Sequence, residues 1–490
     1  MPNRPGTQIL QKTSPPVRTS PTTTGTLFAA GLCDKGSAIA PIEIFSMDDF
    51  VTKCGARVSY SVLYDALDVF FREGGGHAYI ARVVGPAAVQ ATRNLVDGVA
   101  AVSLVTKALG PGTSGNNLKT GVVAGIAGGS YQIQVTDQNS VVLEQSYDLF
   151  TQQDAVTWAN AYSTNIVITI GASLLIPVVG GANVITALTT GSDDRVSIVD
   201  AQWLAALNLF TKDMGPGQVA APGRTTDPGH TQLCDHAAAN FRTALLDAPD
   251  TPTVATLTTA ATNAKTTGNG QYGGLFGPWL IVPGVSAGTT RTVPPSTFIA
   301  ALCARVDAQS VLGGPDVPAA GMANGVSRYA IGLSQIAWDD PTRNTLNNAG
   351  VNVVRIMSGA IVNYGFRSLA DPLNNAPWLD LSNVRLLMAI AAEAQQIGQQ
   401  FVFSMIDGQG YTISQYGGAL SAMCQRYYNT GQLYGVTPAD AFNVDVGPTV
   451  NTAAVIAGNE IRATLAVRPS PMAELVTINL VNVQVPQGVS

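Results

Sequence analysis

The sequence contains few charged residues. Only 12% of its 490 residues are Asp, Glu, Lys or Arg, about half the ~25% usual for soluble domains. Because a monomer normally needs a solvated, charge-rich surface, this deficit suggests that much of the surface meets other protein. The net charge is −6 and no run rich in Lys or Arg occurs. This argues against a nucleic-acid-binding protein, which needs cations to neutralise phosphates.

Cysteine and histidine are also scarce. The five cysteines are scattered and contain no CxxC motif, which favours reduced, buried thiols in a cytoplasm over a disulfide framework. His230, Cys234 and His236 form the only cluster of soft metal ligands in the sequence, and zinc would need a fourth ligand. Since Cys234 and His236 are two residues apart, one helix would direct them to different faces. We therefore expect neither a metal site nor a Cys–His catalytic pair there.

The sequence also lacks a visible secretory signal and a clear transmembrane helix. Residues 1–16 contain no apolar stretch of the kind that such a signal requires. Residues 166–188 are largely apolar and long enough to span a bilayer. They contain Pro177 and the pair Gly180-Gly181, however, and no basic cluster flanks them. This pattern is typical of short strands joined by turns, so we expect soluble β structure here.

The chain does contain clear strand and helix patterns. Apolar residues predict strand, helix and strand at 27–32, 63–71 and 78–84, which indicates an α/β layer with a crossover. Between residues 102 and 190, alternating apolar stretches separated by Gly, Asn and Asp turns predict a mainly β insertion. We therefore predict a multidomain protein of mixed α/β and α+β class.

The predicted organisation has six parts. Along the chain they are an extended N-terminal arm rich in Pro, Thr and Ser (1–25), the first part of an α/β core (26–101), an inserted mainly β domain (102–190), a second α/β region (191–340), the C-terminal part of the core (341–474) and a C-terminal strand or arm (475–490). Individual predictions include a strand at 196–199, a helix at 234–243, long helices at 381–401 and 413–428, and a strand at 476–485.

Two glycine motifs resemble catalytic signatures. Residues 110–115 match GxGxxG, but a dinucleotide site needs the third glycine to open a helix, and turn and strand residues follow instead. We expect a tight turn there. Residues 284–288 match GxSxG, but all three histidines precede Ser286, so the chain order of a hydrolase triad is impossible. The sequence thus predicts no catalytic residue, no metal and no cofactor.

Short motifs along the chain resemble the contractile bacteriophage tail sheath family. They include LNNAGVN at 346–352, YGFRSL at 364–369, LSNVRLL at 381–387, GQLYGVTPADAFNV at 431–444 and PMAEL at 471–475. Tyr364 replaces the family's Trp, and the family's EPN is absent after Phe403, so the chain looks like a distant member. The positions that match the family motifs are Asn347, Gly350, Asn352, Gly365, Arg367, Val384, Arg385, Gly435, Phe442 and Glu474.

The resemblance implies an α/β sheath core with an inserted β domain and extended terminal arms. It also implies a structural protein and not an enzyme. Sheath subunits stack as hexameric rings around a tail tube and contract to drive the tube through the host envelope. The implied partners are further copies of the chain, the tail tube protein, and baseplate and tail terminator proteins, without nucleic acid, membrane insertion or a cofactor. The implied location is the virion tail, assembled in the host bacterial cytoplasm.

In that family the terminal arms add strands to the sheets of neighbouring subunits. The corresponding inter-subunit residues here would be Thr7, Gln8, Ile9 and Leu10 in the first arm and Val476, Ile478, Leu480 and Asn482 in the last strand. The resemblance also places tube contact on the helices predicted at 381–401 and 413–428. Three alternatives remain open: pairing of the last strand within its own chain, the sheath of a phage-derived bacteriocin or injection particle, and an α/β hydrolase-like enzyme.

Overall fold

The computed structural model describes residues 24–250, 253–266, 268–309, 313–335 and 338–474. The strands in these ranges are β1 (Leu27–Gly31), β2 (Ile42–Ile44), β3 (Ala78–Arg82), β4 (Gln90–Val96), β5 (Val102–Pro111), β6 (Lys119–Ala124), β7 (Tyr131–Thr136), β8 (Val142–Gln145), β9 (Ile166–Ile170), β10 (Thr186–Ala187), β11 (Gly217–Ala220), β12 (Arg242–Asp247), β13 (Gly273–Gly277), β14 (Leu280–Pro283), β15 (Thr290–Val293), β16 (Gly332–Leu333), β17 (Val351–Met357), β18 (Ala360–Asn363), β19 (Phe442–Asp445) and β20 (Thr464–Val467).

Helices alternate with these strands through most of the chain. They are α1 (Met47–Cys54), α2 (Leu63–Arg72), α3 (Gln152–Tyr162), α4 (Asp200–Leu207), α5 (Asp227–Ala239), α6 (Val254–Thr266), α7 (Ser296–Asp307), α8 (Gly321–Asn324), α9 (Asp340–Ala349), α10 (Leu381–Gln399), α11 (Tyr411–Asn429), α12 (Pro438–Ala441) and α13 (Ala453–Ala457). The predicted mixed α/β and α+β class is confirmed.

An eight-stranded sheet forms the centre of the molecule, in the order β18-β17-β13-β12-β11-β1-β3-β2. The six inner strands pair in parallel, and β2 and β18 pair antiparallel at the two edges. Successive strand residues point to opposite faces. Leu245 accordingly joins the apolar core on the side of α2 and α7, and Leu246 joins the core on the side of α5 and α6. Helices thus cover both faces, as a largely parallel sheet requires.

The chain between β3 and β11 forms two smaller antiparallel sheets, β4-β5-β9 and β10-β6-β7-β8. Helix α3 packs on them, and Trp158 joins Leu104 and Ile133 in their shared core. Residues 90–96, which precede the predicted boundary at residue 102, belong to the first of these sheets. At the other end of the chain, α10, α11 and the two-stranded sheet β19-β20 enclose a separate apolar cluster that contains Leu420.

Most of the predicted elements are confirmed, but the strand predicted at 196–199 is wrong. That segment is a short 3-10 turn, Arg195–Ser197, followed by α4, and Val196 is 99% exposed. An apolar run of four residues predicts a strand only if it is buried, and this one is not. The helix predicted at 234–243 overlaps α5 only over residues 234–239, because residues 242–243 already belong to β12. Helix α5 begins earlier than predicted, after the capping residue Thr226 and with Pro228 in its first turn, a start signal that the prediction missed.

Among the described residues, no helix is long and apolar enough to cross a membrane. The segment 166–188 consists of β9, irregular turns and β10. The expected β structure is therefore confirmed for its first part, Ile166–Ile170.

Candidate functional site at the junctions of the terminal segments

The last described residue, Glu474, is held by an ion pair with Arg367. The Arg367 Nε donates a hydrogen bond to Glu474 Oε1 at 2.9 Å, and a second guanidinium nitrogen binds Oε2. This two-pronged geometry is the strong form of an arginine–carboxylate pair. The hydrogen bond from Arg367 lowers the pKa of Glu474. The pair thus holds the chain at the point where the C-terminal segment, residues 475–490, begins.

A buried asparagine on the central sheet positions Arg367. Asn352 lies on β17, is fully buried, and uses its side-chain amide to donate to the Arg367 carbonyl at 2.7 Å and to the Leu275 carbonyl at 3.3 Å. The side-chain oxygen of Asn352, Oδ1, accepts a hydrogen bond from the Arg367 backbone N–H at 2.6 Å. A Cβ added at Gly365 would lie 3.0 Å from Asn352 Cα. Glycine therefore allows the backbone to approach the asparagine.

Two further motif residues line the same place. Gly350 ends α9 in the left-handed conformation, with φ of 90°, which favours glycine at a helix C-terminus. Its neighbour in the motif, Asn347, offers a backbone carbonyl 3.4 Å from the Arg367 guanidinium. Together they border a cleft of about 390 Å³, which Lys265 and Asp380 also line. We call this group the C-terminal junction: Asn347, Gly350, Asn352, Gly365, Arg367, Asp380 and Glu474.

A second ion pair, which is mostly buried, lies where the N-terminal segment, residues 1–23, joins the folded body. Asp307 Oδ2 accepts hydrogen bonds from the guanidinium of Arg385 and from the Thr24 hydroxyl, both at 2.6 Å. The Arg385 side chain is 1% exposed. The Gln218 side-chain amide donates to the Thr24 carbonyl at 2.8 Å. We call these four residues the N-terminal junction.

Helix α10 connects the two junctions. Asp380 immediately precedes the helix and forms a backbone bridge with Arg367. Arg385 lies five residues further along, which is about 7.5 Å of helix axis. The adjacent Val384 is fully buried in the main core and fixes this turn of the helix. The start of this helix, from Asp380 to Arg385, therefore contributes to both places where terminal segments join the body.

The structure brings together six of the ten motif residues at the C-terminal junction, and Arg385 at the N-terminal one. Gly435 and Phe442 lie elsewhere, beside α12 and at the start of β19. The sequence analysis missed Asp307 and Thr24, because neither belongs to a motif. It also missed Asp380, although its position before a helix start was a usable signal. The predicted inter-subunit residues 7–10 and 476–482 lie outside the described residues.

The two glycine motifs that resemble catalytic signatures, at 110–115 and 284–288, have structural explanations. In the GxGxxG motif, a Cβ on Gly110 would lie 1.9 Å from the Gly36 carbonyl oxygen. The glycine thus permits close contact between β5 and the loop after β1, and a 3-10 helix, Thr113–Asn117, follows. The GxSxG motif forms the turn between β14 and β15, where the Ser286 carbonyl accepts a hydrogen bond from the Thr289 N–H.

The soft-ligand cluster lies on α5 and serves packing. His230 hydrogen-bonds the Asp247 carbonyl at 3.1 Å, and His236 accepts a hydrogen bond from the Arg242 guanidinium at 2.8 Å. Burial, together with the Arg242 cation, lowers the pKa of His236 to about 3, so this imidazole is neutral. In the described part of the chain, no group of three or more His, Cys, Asp or Glu side chains is arranged to hold a metal ion.

Comparison with known proteins relates this fold to contractile sheaths. No family model matches the sequence, and no curated protein matches it. Among solved structures, the sheath tail protein Lin1278 from Listeria innocua matches with a TM-score of 0.60 at 11% identity, over 87% of this chain and 89% of that one.

Two structures in the contracted state match over a larger share of the chain. The helical sheath of the anti-feeding prophage has a TM-score of 0.56 at 16% identity, over 97% of this chain and 98% of that one. The sheath of the extracellular contractile injection system PVC has a TM-score of 0.55 at 14% identity, over 98% and 97%. At these identities the likeness concerns the fold. The chain thus has the fold of the contractile tail sheath proteins, the family that its motifs resemble.

Proposed function

We propose that the chain is the structural subunit of a contractile tail sheath. Its copies form stacked hexameric rings around a tail tube and contract to drive the tube through the host envelope. The observation that carries this proposal is the shared fold over nearly the whole length of both this chain and sheath proteins in a contracted state. A fold alone does not imply a function, so the local arrangement of the motif residues is the second support.

The two junctions fit the mechanical role of a sheath subunit. Contraction requires that rings rotate and slide while the subunits stay connected, so any load carried by a terminal segment passes into the body at its junction. At both junctions an arginine–carboxylate pair connects that point to the central core. We assign the connections between neighbouring subunits to residues 7–10 of the N-terminal segment and residues 476–482 of the C-terminal segment.

The two-stranded sheet β19-β20 is the acceptor that we propose for a neighbour's terminal strand. Within the described ranges, neither strand pairs with a third strand, so each strand has an unpaired edge that another strand could join. Strand addition would extend the sheet through main-chain hydrogen bonds. Each such bond contributes about 1 kcal/mol, so one added strand supplies several kcal/mol.

The end of the α10–α11 hairpin is suited to contact with the tail tube. Between Ala394 and Gln425 the only charged residue is Asp407, and its carboxylate accepts the backbone N–H groups of Tyr411 and Thr412. Phe403 is fully exposed and has a positive φ of 66°. Exposed apolar side chains on a loop with a single charged residue mark a protein contact. This agrees with the tube contact that the motifs imply for these helices.

Such a machine needs no catalytic residue. The energy of contraction comes from changes in subunit contacts between two packed states, so the protein acts without a cofactor or nucleotide, inside a tail that is assembled in the host cytoplasm. The partners are the tail tube, baseplate and tail terminator proteins. The sheath of a phage-derived bacteriocin or injection particle is the second candidate. The match to the anti-feeding prophage and PVC sheaths favours it.

Electron microscopy of the purified chain tests the proposal. We expect hollow tubes or stacked six-fold rings, and we expect a variant that lacks residues 1–20 to remain folded by circular dichroism but to form no long tubes. Ile478→Pro should act in the same way because proline cannot donate to a strand ladder. Gln487→Pro, in the same segment but beyond the predicted strand, is the control. Normal tubes from both the deletion and Ile478→Pro would refute the role of the terminal segments.

A further inference from the structure

The cleft at the C-terminal junction has an apolar wall that the ion pair does not use. Three residues form this wall, Ala370, Pro372 and Leu379, and the partly buried Lys265 also lines the cleft. The cleft volume of about 390 Å³ equals that of about a dozen waters at ~30 Å³ each, which is more than a leucine side chain fills. The cleft can therefore receive a large apolar side chain.

The chain passes this cleft at the point where the described residues end. Glu474 itself lines the cleft, and its Oε1 accepts the hydrogen bond from Arg367 Nε at 2.9 Å. Consecutive Cα atoms are ~3.8 Å apart, so the next residue, Leu475, is within reach of the apolar wall. Because the ion pair already holds Glu474, docking of the following side chain would restrict few further bonds.

The composition of the C-terminal segment favours an apolar contact. Residues 475–490 contain no Asp, Glu, Lys or Arg, so they offer no charged side chain to Lys265 or Asp380. Both of these groups have other neighbours. The Asn383 side-chain amide donates to Asp380 Oδ2 at 3.3 Å, and the carboxylate of Asp371 attracts Lys265. What the start of the segment can offer to the cleft is a leucine side chain for the apolar wall.

From this geometry we infer that the cleft is the docking site of Leu475, the first residue of the C-terminal segment of the same chain. Its side chain packs against the apolar wall while Glu474 stays paired with Arg367. The two contacts together fix the start of the segment, so any connection to a neighbouring subunit begins at Val476. The inference concerns one copy of the chain and does not depend on the sheath proposal. A terminal segment of a second copy is the other occupant that the test must distinguish.

Lys265 can report whether the cleft is occupied. A leucine docked in the cleft would cover the amine of Lys265 and slow its reaction with an acylating reagent. Burial lowers the pKa of Lys265, so a larger share of this amine is uncharged and reactive than in an ordinary lysine. Lys53 is the internal reference, because it lies on α1, pairs with Asp49 at 2.9 Å and has a side chain that is 43% exposed.

The experiment labels the full chain briefly with acetic anhydride, at a concentration at which light scattering shows monomers, and measures acetylation of each lysine by mass spectrometry. We expect Leu475→Ser to raise the rate at Lys265 about tenfold relative to Lys53, since full burial of a leucine favours the docked state by at least that factor. Leu475→Met should keep the slow rate because methionine retains the apolar volume. Leu480→Ser, the same substitution further along the segment, is the control and should leave the rate unchanged.

Two results would overturn the inference. One is an equal rate at Lys265 in the unaltered chain and in Leu475→Ser. The other is protection of Lys265 that is present at high concentration and disappears on dilution to monomers, because a second copy would then supply the occupant. The dilution series uses only the unaltered chain, so it does not depend on how well any variant folds. Neither measurement requires the chain to form tubes.

Discussion

Replacement of Arg385 by methionine tests the N-terminal junction most directly. Methionine keeps much of the side-chain volume and removes the charge. The Arg385 guanidinium is fully buried and is the cation that pairs with Asp307. In Arg385→Met, Asp307 keeps the hydrogen bond from Thr24 but loses that cation. The variant therefore leaves a mostly buried carboxylate without its counter-charge.

The expected loss of stability is large. Breaking a buried ion pair by removing one partner costs about 3–5 kcal/mol, because the remaining charge is uncompensated. Asp307 is 12% exposed and keeps one donor, so we expect a value near the lower limit. The free energy of unfolding of a typical domain is only about 5–15 kcal/mol in total. The cost should therefore be visible as a clear shift of the urea unfolding curve followed by circular dichroism.

Two further variants separate the buried charge from general effects. Arg462→Met removes an arginine from an ion pair in which both side chains are more than half exposed, and we expect a change below about 1 kcal/mol. Adding Asp307→Asn to Arg385→Met removes the stranded charge and keeps an acceptor for Thr24, so it should restore much of the loss. The reasoning is refuted if Arg385→Met costs no more than Arg462→Met, or if the double variant is less stable than the single one.

Two other predictions follow from buried groups. Burial raises the pKa of Asp247 to about 6, above the ordinary value of ~3.9, so the folded state binds this proton more tightly than the unfolded state. The stability that this adds is complete below pH ~4 and is lost as the pH rises through about 6. The difference in unfolding free energy between the unaltered chain and Asp247→Asn should therefore fall by about 2–3 kcal/mol between pH 4 and 7.5, and a pH-independent difference would contradict the assignment. Gly110→Ala should destabilise the chain by about 1–3 kcal/mol in thermal or urea unfolding, because its Cβ would overlap a facing carbonyl. Gly98→Ala is the control and should not destabilise the chain, because a Cβ there meets no atom within 4 Å. Equal effects of the two substitutions would refute the role of close contact.

Local sequence patterns predicted the helices in which apolar residues recur at a regular spacing. Helix α10 was predicted at 381–401 and lies at Leu381–Gln399, and α11 was predicted at 413–428 and lies at Tyr411–Asn429. Apolar residues on one face of each helix recur with the helical period, so the sequence alone carries this information. The strand predicted at 196–199 shows the limit, because a short apolar run does not reveal whether it is buried.

The motif residues show a different limit. The resemblance selected Asn347, Arg367 and Glu474 as separate short matches, without any indication that they meet. Arg367 and Glu474 are 107 residues apart, and Arg385 and Asp307 are 78 apart. No period or spacing in a single sequence relates residues at such separations. The position of Gly110 against the loop after β1 was likewise invisible, and the sequence analysis could say only that a tight turn was expected.

The sequence by itself determined the class of the fold, the long helices, the strand-rich middle region and the absence of a complete catalytic motif. Each of these depends on residue types and on periods shorter than one element. Only the tertiary structure decided which residues form the two junctions. The parallel pairing of β13 with β17 brings Asn352 beside Leu275 and hence positions Arg367, and the packing of α7 against the start of α10 brings Asp307 to Arg385. Long-range strand order and helix packing set these contacts, because they depend on the summed burial of many side chains and not on any local pattern.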